Sequence, residues 1–138
     1  MNEIKALNEM YKVVEMGIIG IDNVYEKLED KTLVKTMLDA KKKYQVYKVD
    51  LAKMLNSYGE DKKGINVFIK MFNDIHTSVD LINKDDMKII EMLIEGTNKG
   101  ILKLEEILNE DLENDVIDIA RNILKLLEFQ IKKWKEYL

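Results

Sequence analysis

The sequence predicts an all-α protein, a four-helix bundle with one long crossover that contains an extra helix. Proline is absent from all 138 residues, and hydrophobic residues make up 46% of the chain. Apolar residues recur at alternating steps of three and four along five segments, which is the spacing of helices that pack on other helices. The first two segments are joined by a tight turn, and so are the last two. A long connection joins these two pairs. We therefore expect one domain over residues 1–138.

The first two segments are predicted helices over residues 3–28 and 31–58. Asp30 is placed to cap the second helix, because its carboxylate can accept hydrogen bonds from the free amides of the first turn. Gly59 is placed to end that helix in a left-handed conformation. The seam of the first helix follows the three-and-four spacing without interruption, and consists of Ile4, Leu7, Tyr11, Val14, Ile18, Ile21, Tyr25 and Leu28.

A shorter third helix is predicted over residues 64–82, within the long connection. At about 1.5 Å per residue it extends about 28 Å, which is comparable with the length of a bundle. The connection can therefore carry the chain from one end of the bundle to the other. Periodicity does not decide which helices are neighbours, so a plain up-and-down array of five helices remains an alternative.

The last two helices are predicted over residues 86–109 and 112–138. Asp85 and Asp111 precede them and are expected to act as their N-terminal caps. The C-terminal end of the fifth helix carries positive charge, which is favourable near the negative end of the helix dipole. The residues that supply this charge are Lys132, Lys133 and Lys135.

The composition excludes several classes of chemistry. The chain has no cysteine, one histidine, His76, and a net charge of −4. Disulfides, thiolate metal sites and a cysteine nucleophile are thus excluded. A negative net charge supplies no attraction for phosphates, so we expect no nucleic-acid partner. Neither a signal peptide nor a membrane-length apolar segment is apparent, so a cytoplasmic protein without membrane contact is expected.

Short motifs are distributed over nearly the whole chain: Leu7-Asn8, Gly17 and Gly20, Glu29-Asp30, Gly59, Gly96, and Asp111-Leu112. In their order they resemble the ferritin-like superfamily, and in particular an uncharacterised prokaryotic branch, a domain-of-unknown-function family similar to the YciF-type proteins. The resemblance implies a ferritin-like bundle with a stress-associated role and no established reaction. Richness in Lys, Ile, Glu and Asn also indicates an AT-rich prokaryotic genome.

The resemblance raises the question of a di-iron or di-manganese site, which ferritin-like carboxylate proteins build from inward-facing Glu residues and Glu-x-x-His pairs. No Glu-x-x-His occurs in this chain. We therefore expect no metal, no cofactor and no catalytic residue. The residues expected at the bundle centre form a candidate pocket or simply fill core volume: Tyr44, Tyr47, Ile94, Thr97, Leu127 and Ile131.

Glycines occur in pairs inside two predicted helices, Gly17 with Gly20 and Gly96 with Gly100. Glycine costs about 1 kcal/mol in a helix interior, so each pair calls for an explanation. Either the helices pack closely at these positions, or a ligand approaches the backbone there.

The fifth helix has a second apolar line beside its seam. A stripe this wide indicates either a helix buried on two sides or a helix that faces another subunit. We expect an antiparallel homodimer through this line as one outcome, and burial under the crossover helix as the other. The candidate interface residues are Val116, Ile119, Ile123 and Leu126.

Three functions are consistent with the sequence. The first is a non-catalytic, metal-free ferritin-like bundle that acts by self-assembly or by binding a protein partner. The second is a di-metal, oxidoreductase-like protein with ligands from unexpected positions. The third is an adaptor that receives a partner helix in an apolar groove.

Overall fold

The computed structural model describes residues 1–59 and 85–138, and this part of the chain is helical apart from short connections. The four helices are α1 (Glu3–Val24), α2 (Lys31–Ser57), α3 (Asp86–Leu108) and α4 (Asn114–Lys135). A 3-10 turn, Tyr25–Lys27, follows α1. The predicted third helix over 64–82, with His76, lies outside the described residues.

Local side-chain hydrogen bonds explain where three helices begin. Asn2 caps α1 by accepting a hydrogen bond at 2.8 Å from an amide of the first turn. Asp30 accepts a 3.0 Å hydrogen bond from an amide in the first turn of α2, and Asp85 accepts one of the same length from an amide in the first turn of α3. Gly59 follows α2 with a φ of 79°, a conformation that glycine adopts without strain. The predictions for Asp30, Asp85 and Gly59 are thereby confirmed.

The last helix begins two residues later than predicted, and Asp111 is not its cap. The N-terminal flanking residue of α4 is Glu113, whose side chain makes no capping hydrogen bond. Instead, the Glu113 backbone N–H donates to Oε2 of Glu3 at 3.0 Å. The start of α4 is thus held by a side chain from the other end of the sequence, which no local pattern reveals.

Contacts at the two ends of the bundle define its connectivity. At one end, the Asp86 carboxylate accepts hydrogen bonds from the backbone amides of Glu29 and Asp30. At the other end, Glu3 lies beside Glu113. Since α1 and α4 run toward the first end and α2 and α3 run away from it, the chain leaves the described region at residue 59 and re-enters it at residue 85 on opposite ends of the bundle.

The side-by-side contacts place α1 next to α3 as well as next to α2. A methyl group added at Gly20 would lie 3.6 Å from Leu93, and one added at Gly100 would lie 3.1 Å from Val13. Val13 of α1 thus lies beside Gly100 of α3, and the later residue Gly20 lies beside the earlier residue Leu93. The two helices are therefore antiparallel. Between α2 and α4, the Nζ of Lys43 lies 5.2 Å from the centre of the Phe129 ring.

The core runs through all four helices, and α4 contributes to it with a wide face. The four residues of its second apolar line are buried within the single chain, with exposures of 0% for Val116 and Ile123, 7% for Leu126 and 8% for Ile119. The line is therefore buried within the single chain, and the predicted crossover helix lies outside the described residues. Leu138, which follows α4, is 51% exposed.

Charged side chains connect α1 with α2 along their outer edge. Lys48 pairs with Glu15 at 2.7 Å, and Lys41 pairs with Asp22. No helix in the two described stretches has an apolar run long enough to cross a bilayer.

Candidate ligand-binding cavity

An interhelical cavity of about 580 Å³ lies between α1 and α3 and extends toward α2 and α4. Val13, Gly17 and Gly20 line it from α1, and Leu93, Gly96 and Gly100 line it from α3. Small-molecule sites in proteins have volumes of roughly 300–1,000 Å³ and mainly apolar walls. The cavity therefore has the size and lining of a site for a small organic molecule.

Two of the glycines that line the cavity allow close approach of neighbouring side chains. Gly17 leaves room for the ring of Tyr44, because a methyl group added at Gly17 would lie 2.8 Å from Cε2 of that ring. Gly100 lies against α1 and α4, since an added methyl group would meet Val13 at 3.1 Å and Leu127 at 3.2 Å. Close packing therefore explains Gly17 and Gly100.

Gly96 is different, because a methyl group added there would meet no heavy atom within 4 Å. It lies one turn before Gly100 on the same face of α3 and lines the cavity. The helix thus bears the cost of an interior glycine of about 1 kcal/mol without a packing contact that requires it. Gly96 is exposed, so it lies at the open edge of the cavity and leaves that edge unobstructed.

Tyr44 projects from α2 into the wall of the cavity and is only 1% exposed. Its hydroxyl has no hydrogen-bond partner among residues 1–59 and 85–138. Burial raises the pKa of this phenol well above its ordinary value of 10.0, because the charged phenolate would lose its hydration. Tyr44 is therefore a neutral phenol that can donate one hydrogen bond and accept others.

Trp134 lines the same cavity from α4 and is also 1% exposed. Its indole Nε1 is buried and has no hydrogen-bond partner among the residues that the structure describes. Buried polar groups without partners are uncommon, because they lose their hydrogen bonds to water on folding. The Trp134 N–H and the Tyr44 hydroxyl are thus two polar groups that described helices bring to the wall of one cavity.

The rim of the cavity carries charge of both signs. Lys12 pairs with Glu9 at 3.7 Å, and Lys103 with Glu106 at 3.3 Å. Lys99 and Glu95 also lie on the rim and are exposed. Charge is thus confined to the solvent side, and the paired carboxylates offset much of the positive potential of the lysines.

The cavity contains three of the six residues predicted to form a central pocket. Tyr44, Thr97 and Leu127 line it, whereas Tyr47, Ile94 and Ile131 lie elsewhere. The Thr97 hydroxyl donates to the carbonyl of Leu93 at 2.7 Å, so its oxygen is anchored to α3. We did not predict Trp134 or Leu93 at the site, and the paired glycines of α1 and α3 were the sequence signal for its position.

The residues at the centre do not fit a ferritin-type metal site. Tyr44, Thr97 and Leu127 offer no carboxylate or imidazole, which are the ligands that a di-iron or di-manganese pair requires. Within the part of the chain that the structure describes, no group of three or more His, Cys, Asp or Glu side chains is positioned to hold a metal ion.

Comparison of the chain with protein-family models, with curated proteins and with solved structures finds no match.

Proposed function

We propose that this protein is a non-catalytic helical bundle that acts by binding, and that its ligand is a small, mainly apolar organic molecule held in the interhelical cavity. The observation that carries the proposal is a cavity of about 580 Å³ whose wall contains the buried Trp134 Nε1, an N–H without a hydrogen-bond partner among the described residues. A folded chain gains nothing by leaving both apolar surface and a buried N–H without partners. A bound molecule would satisfy both.

Nile red tests this proposal, because the dye is neutral and its fluorescence increases on transfer from water to an apolar site. We expect a saturable increase with one dye molecule per chain. A Gly96→Leu variant should weaken dye binding by at least about tenfold, because the new side chain would occupy cavity space while replacing a poor helix former.

Asn98→Leu is the matched control, because Asn98 is exposed on α3 and does not line the cavity. This variant adds the same side chain to the same helix and should bind the dye as the unaltered protein does. Equal dye binding by Gly96→Leu and Asn98→Leu, or no saturable binding at all, would contradict the proposal.

Classification of the bundle in the ferritin-like superfamily is a further part of the proposal. It is supported by the order of the helices, in which α1 is antiparallel to both α2 and α3, and by the position of residues 59 and 85 at opposite ends. A cytoplasmic, stress-related role in a prokaryote rests on the sequence resemblance and composition alone.

The di-metal alternative makes a different prediction that elemental analysis can separate. Protein purified without chelators should contain far less than one equivalent of iron or manganese if the cavity binds an organic molecule. Two equivalents of either metal per chain would favour the oxidoreductase-like alternative and overturn the metal-free assignment.

Self-association is a separate proposal, and it needs a surface other than the predicted one. Val116, Ile119, Ile123 and Leu126 are buried within the chain, so little of their surface is left for a partner. The exposed apolar side chains on α2 and α4 include Val46 at 60%, Val49 at 52% and Phe129 at 46%. Light scattering over a wide concentration range tests for a dimer, and loss of the dimer in Val46→Lys would locate its interface.

A further inference from the structure

We infer that the ligand of the interhelical cavity is a neutral molecule with an apolar body and a carbonyl-type acceptor oxygen, which accepts hydrogen bonds from the Tyr44 hydroxyl and the Trp134 indole N–H. Ketones, quinones and esters belong to this class. The inference rests on the proposed function, and names the chemistry that this cavity selects.

The acceptor oxygen follows from the donors in the wall. An indole N–H can only donate, so the unpartnered Nε1 of Trp134 can be satisfied only by an acceptor. The neutral phenol of Tyr44 has a proton to donate as well. A carbonyl oxygen has two lone pairs and can therefore accept from both groups at once.

The apolar body follows from the rest of the lining. Met16 and Val13 contribute from α1, Met92 and Leu93 from α3, and Leu127 from α4. Methionine side chains are flexible and polarizable, so they adapt to flat or branched apolar ligands. A ligand without a large apolar surface would leave this wall in contact with water.

The absence of net charge follows from where the lysines lie. Lys12 and Lys103 are on the rim and already pair with glutamates. Among the described lining residues, those of the inner wall, Tyr44, Trp134 and Leu127, include no cation. Moving an anion to that inner wall would remove its hydration without supplying a counter-charge, which is strongly unfavourable. A carboxylate is thus a poor group for the position that a carbonyl can occupy.

Three probes of closely similar shape separate these chemistries: fluorenone, which has a carbonyl; fluorene, which lacks one; and fluorenecarboxylate, which is anionic. Titration calorimetry measures the affinity of each. We expect fluorenone to bind about tenfold more tightly than fluorene, as one to two added hydrogen bonds would produce. Fluorenecarboxylate should be the weakest of the three.

One variant and one spectroscopic signal test the donors directly. In Tyr44→Phe, the preference for fluorenone over fluorene should fall to about threefold or less. Trp134 is the only tryptophan, so its indole N–H gives a single, assignable resonance in a proton–nitrogen correlation spectrum. Fluorenone should shift this resonance downfield, and fluorene should shift it much less.

The outcomes distinguish a wrong ligand class from a wrong function. Equal binding of fluorene and fluorenone, with no effect of Tyr44→Phe on their ratio, would overturn the acceptor inference and leave the binding function intact. Tightest binding of fluorenecarboxylate would overturn neutrality. Failure of all three probes to bind, together with unchanged Nile red fluorescence, would overturn both the inference and the proposed function.

Discussion

Two glycines of the same sequence pattern have opposite structural roles. Gly17 is required by its neighbour, because an added methyl group would lie 2.8 Å from the Tyr44 ring. Gly96 faces open space, with nothing within 4 Å of an added methyl group. The difference between them separates a packing constraint from an exposed position at the edge of the cavity, which the sequence alone does not do.

Alanine at these two positions should therefore change stability in opposite directions. Gly96→Ala should raise the free energy of unfolding by about 0.5–1 kcal/mol, because alanine is the better helix former and nothing obstructs it. Gly17→Ala should lie about 1–3 kcal/mol below Gly96→Ala, because the tyrosine ring must move. Urea denaturation followed by circular dichroism measures both, and equal stability of the two variants would contradict the packing assignment.

The Tyr44 phenol should make stability sensitive to alkaline pH. Its pKa is raised in the folded chain, so above the ordinary value of 10.0 the unfolded chain loses this proton while the folded chain keeps it. Unfolding is thereby favoured as pH rises. Tyr44→Phe removes the effect, and it removes no hydrogen bond within the described chain.

Urea midpoints at about pH 8 and about pH 11 measure this contribution. The unaltered protein should lose more stability between the two conditions than Tyr44→Phe does. At about pH 8, where both states keep the proton, the two proteins should differ by less than about 1 kcal/mol. An identical alkaline loss in the two proteins would show that Tyr44 ionises as freely when folded as when unfolded.

At the scale of the elements, one carboxylate joins the two helical hairpins. Asp86, in the first turn of α3, accepts hydrogen bonds of 3.0 to 3.2 Å from the amides of Glu29 and Asp30 in the turn between α1 and α2. These amides would otherwise be free at the start of α2. The contact fixes the end of α3 against that of α1 and so helps to set the width of the cavity between them.

Asp86→Ala should lower the free energy of unfolding by about 1–2 kcal/mol, since it removes hydrogen bonds to a charged acceptor. Asp118→Ala is the control, because the Asp118 side chain is 70% exposed and pairs with Arg121 one turn away, at 3.7 Å. The control should change stability by less than about 0.5 kcal/mol. Equal effects in urea denaturation would show that the carboxylate does not join the hairpins.

For the whole molecule, binding and folding are linked through the cavity. A ligand that binds only the folded chain stabilises it in proportion to the logarithm of its concentration. At ten times its dissociation constant, Nile red or fluorenone should add about 1.4 kcal/mol to the free energy of unfolding. The addition should be nearly absent in Gly96→Leu and preserved in Asn98→Leu. A dye that stabilises all three proteins equally must bind outside the cavity.

The sequence by itself determined the helices and most of their boundaries. Caps such as Asp30 and Asp85, the glycine at residue 59 and the three-and-four spacing act within one or two turns of the chain, so their effects can be predicted without knowing the fold. The central position of Tyr44 and Leu127 was predictable for the same reason, because each lies on an uninterrupted apolar seam.

The tertiary structure alone decided the register of the helices and the presence of a cavity. The start of α4 depends on Glu3, 110 residues away from Glu113, and the width of α4's buried face depends on packing against more than one neighbouring helix. Whether a glycine meets a ring, as Gly17 does, or empty space, as Gly96 does, is likewise set by side chains distant in sequence. Periodicity describes one face of one helix, and a cavity is formed by faces of several.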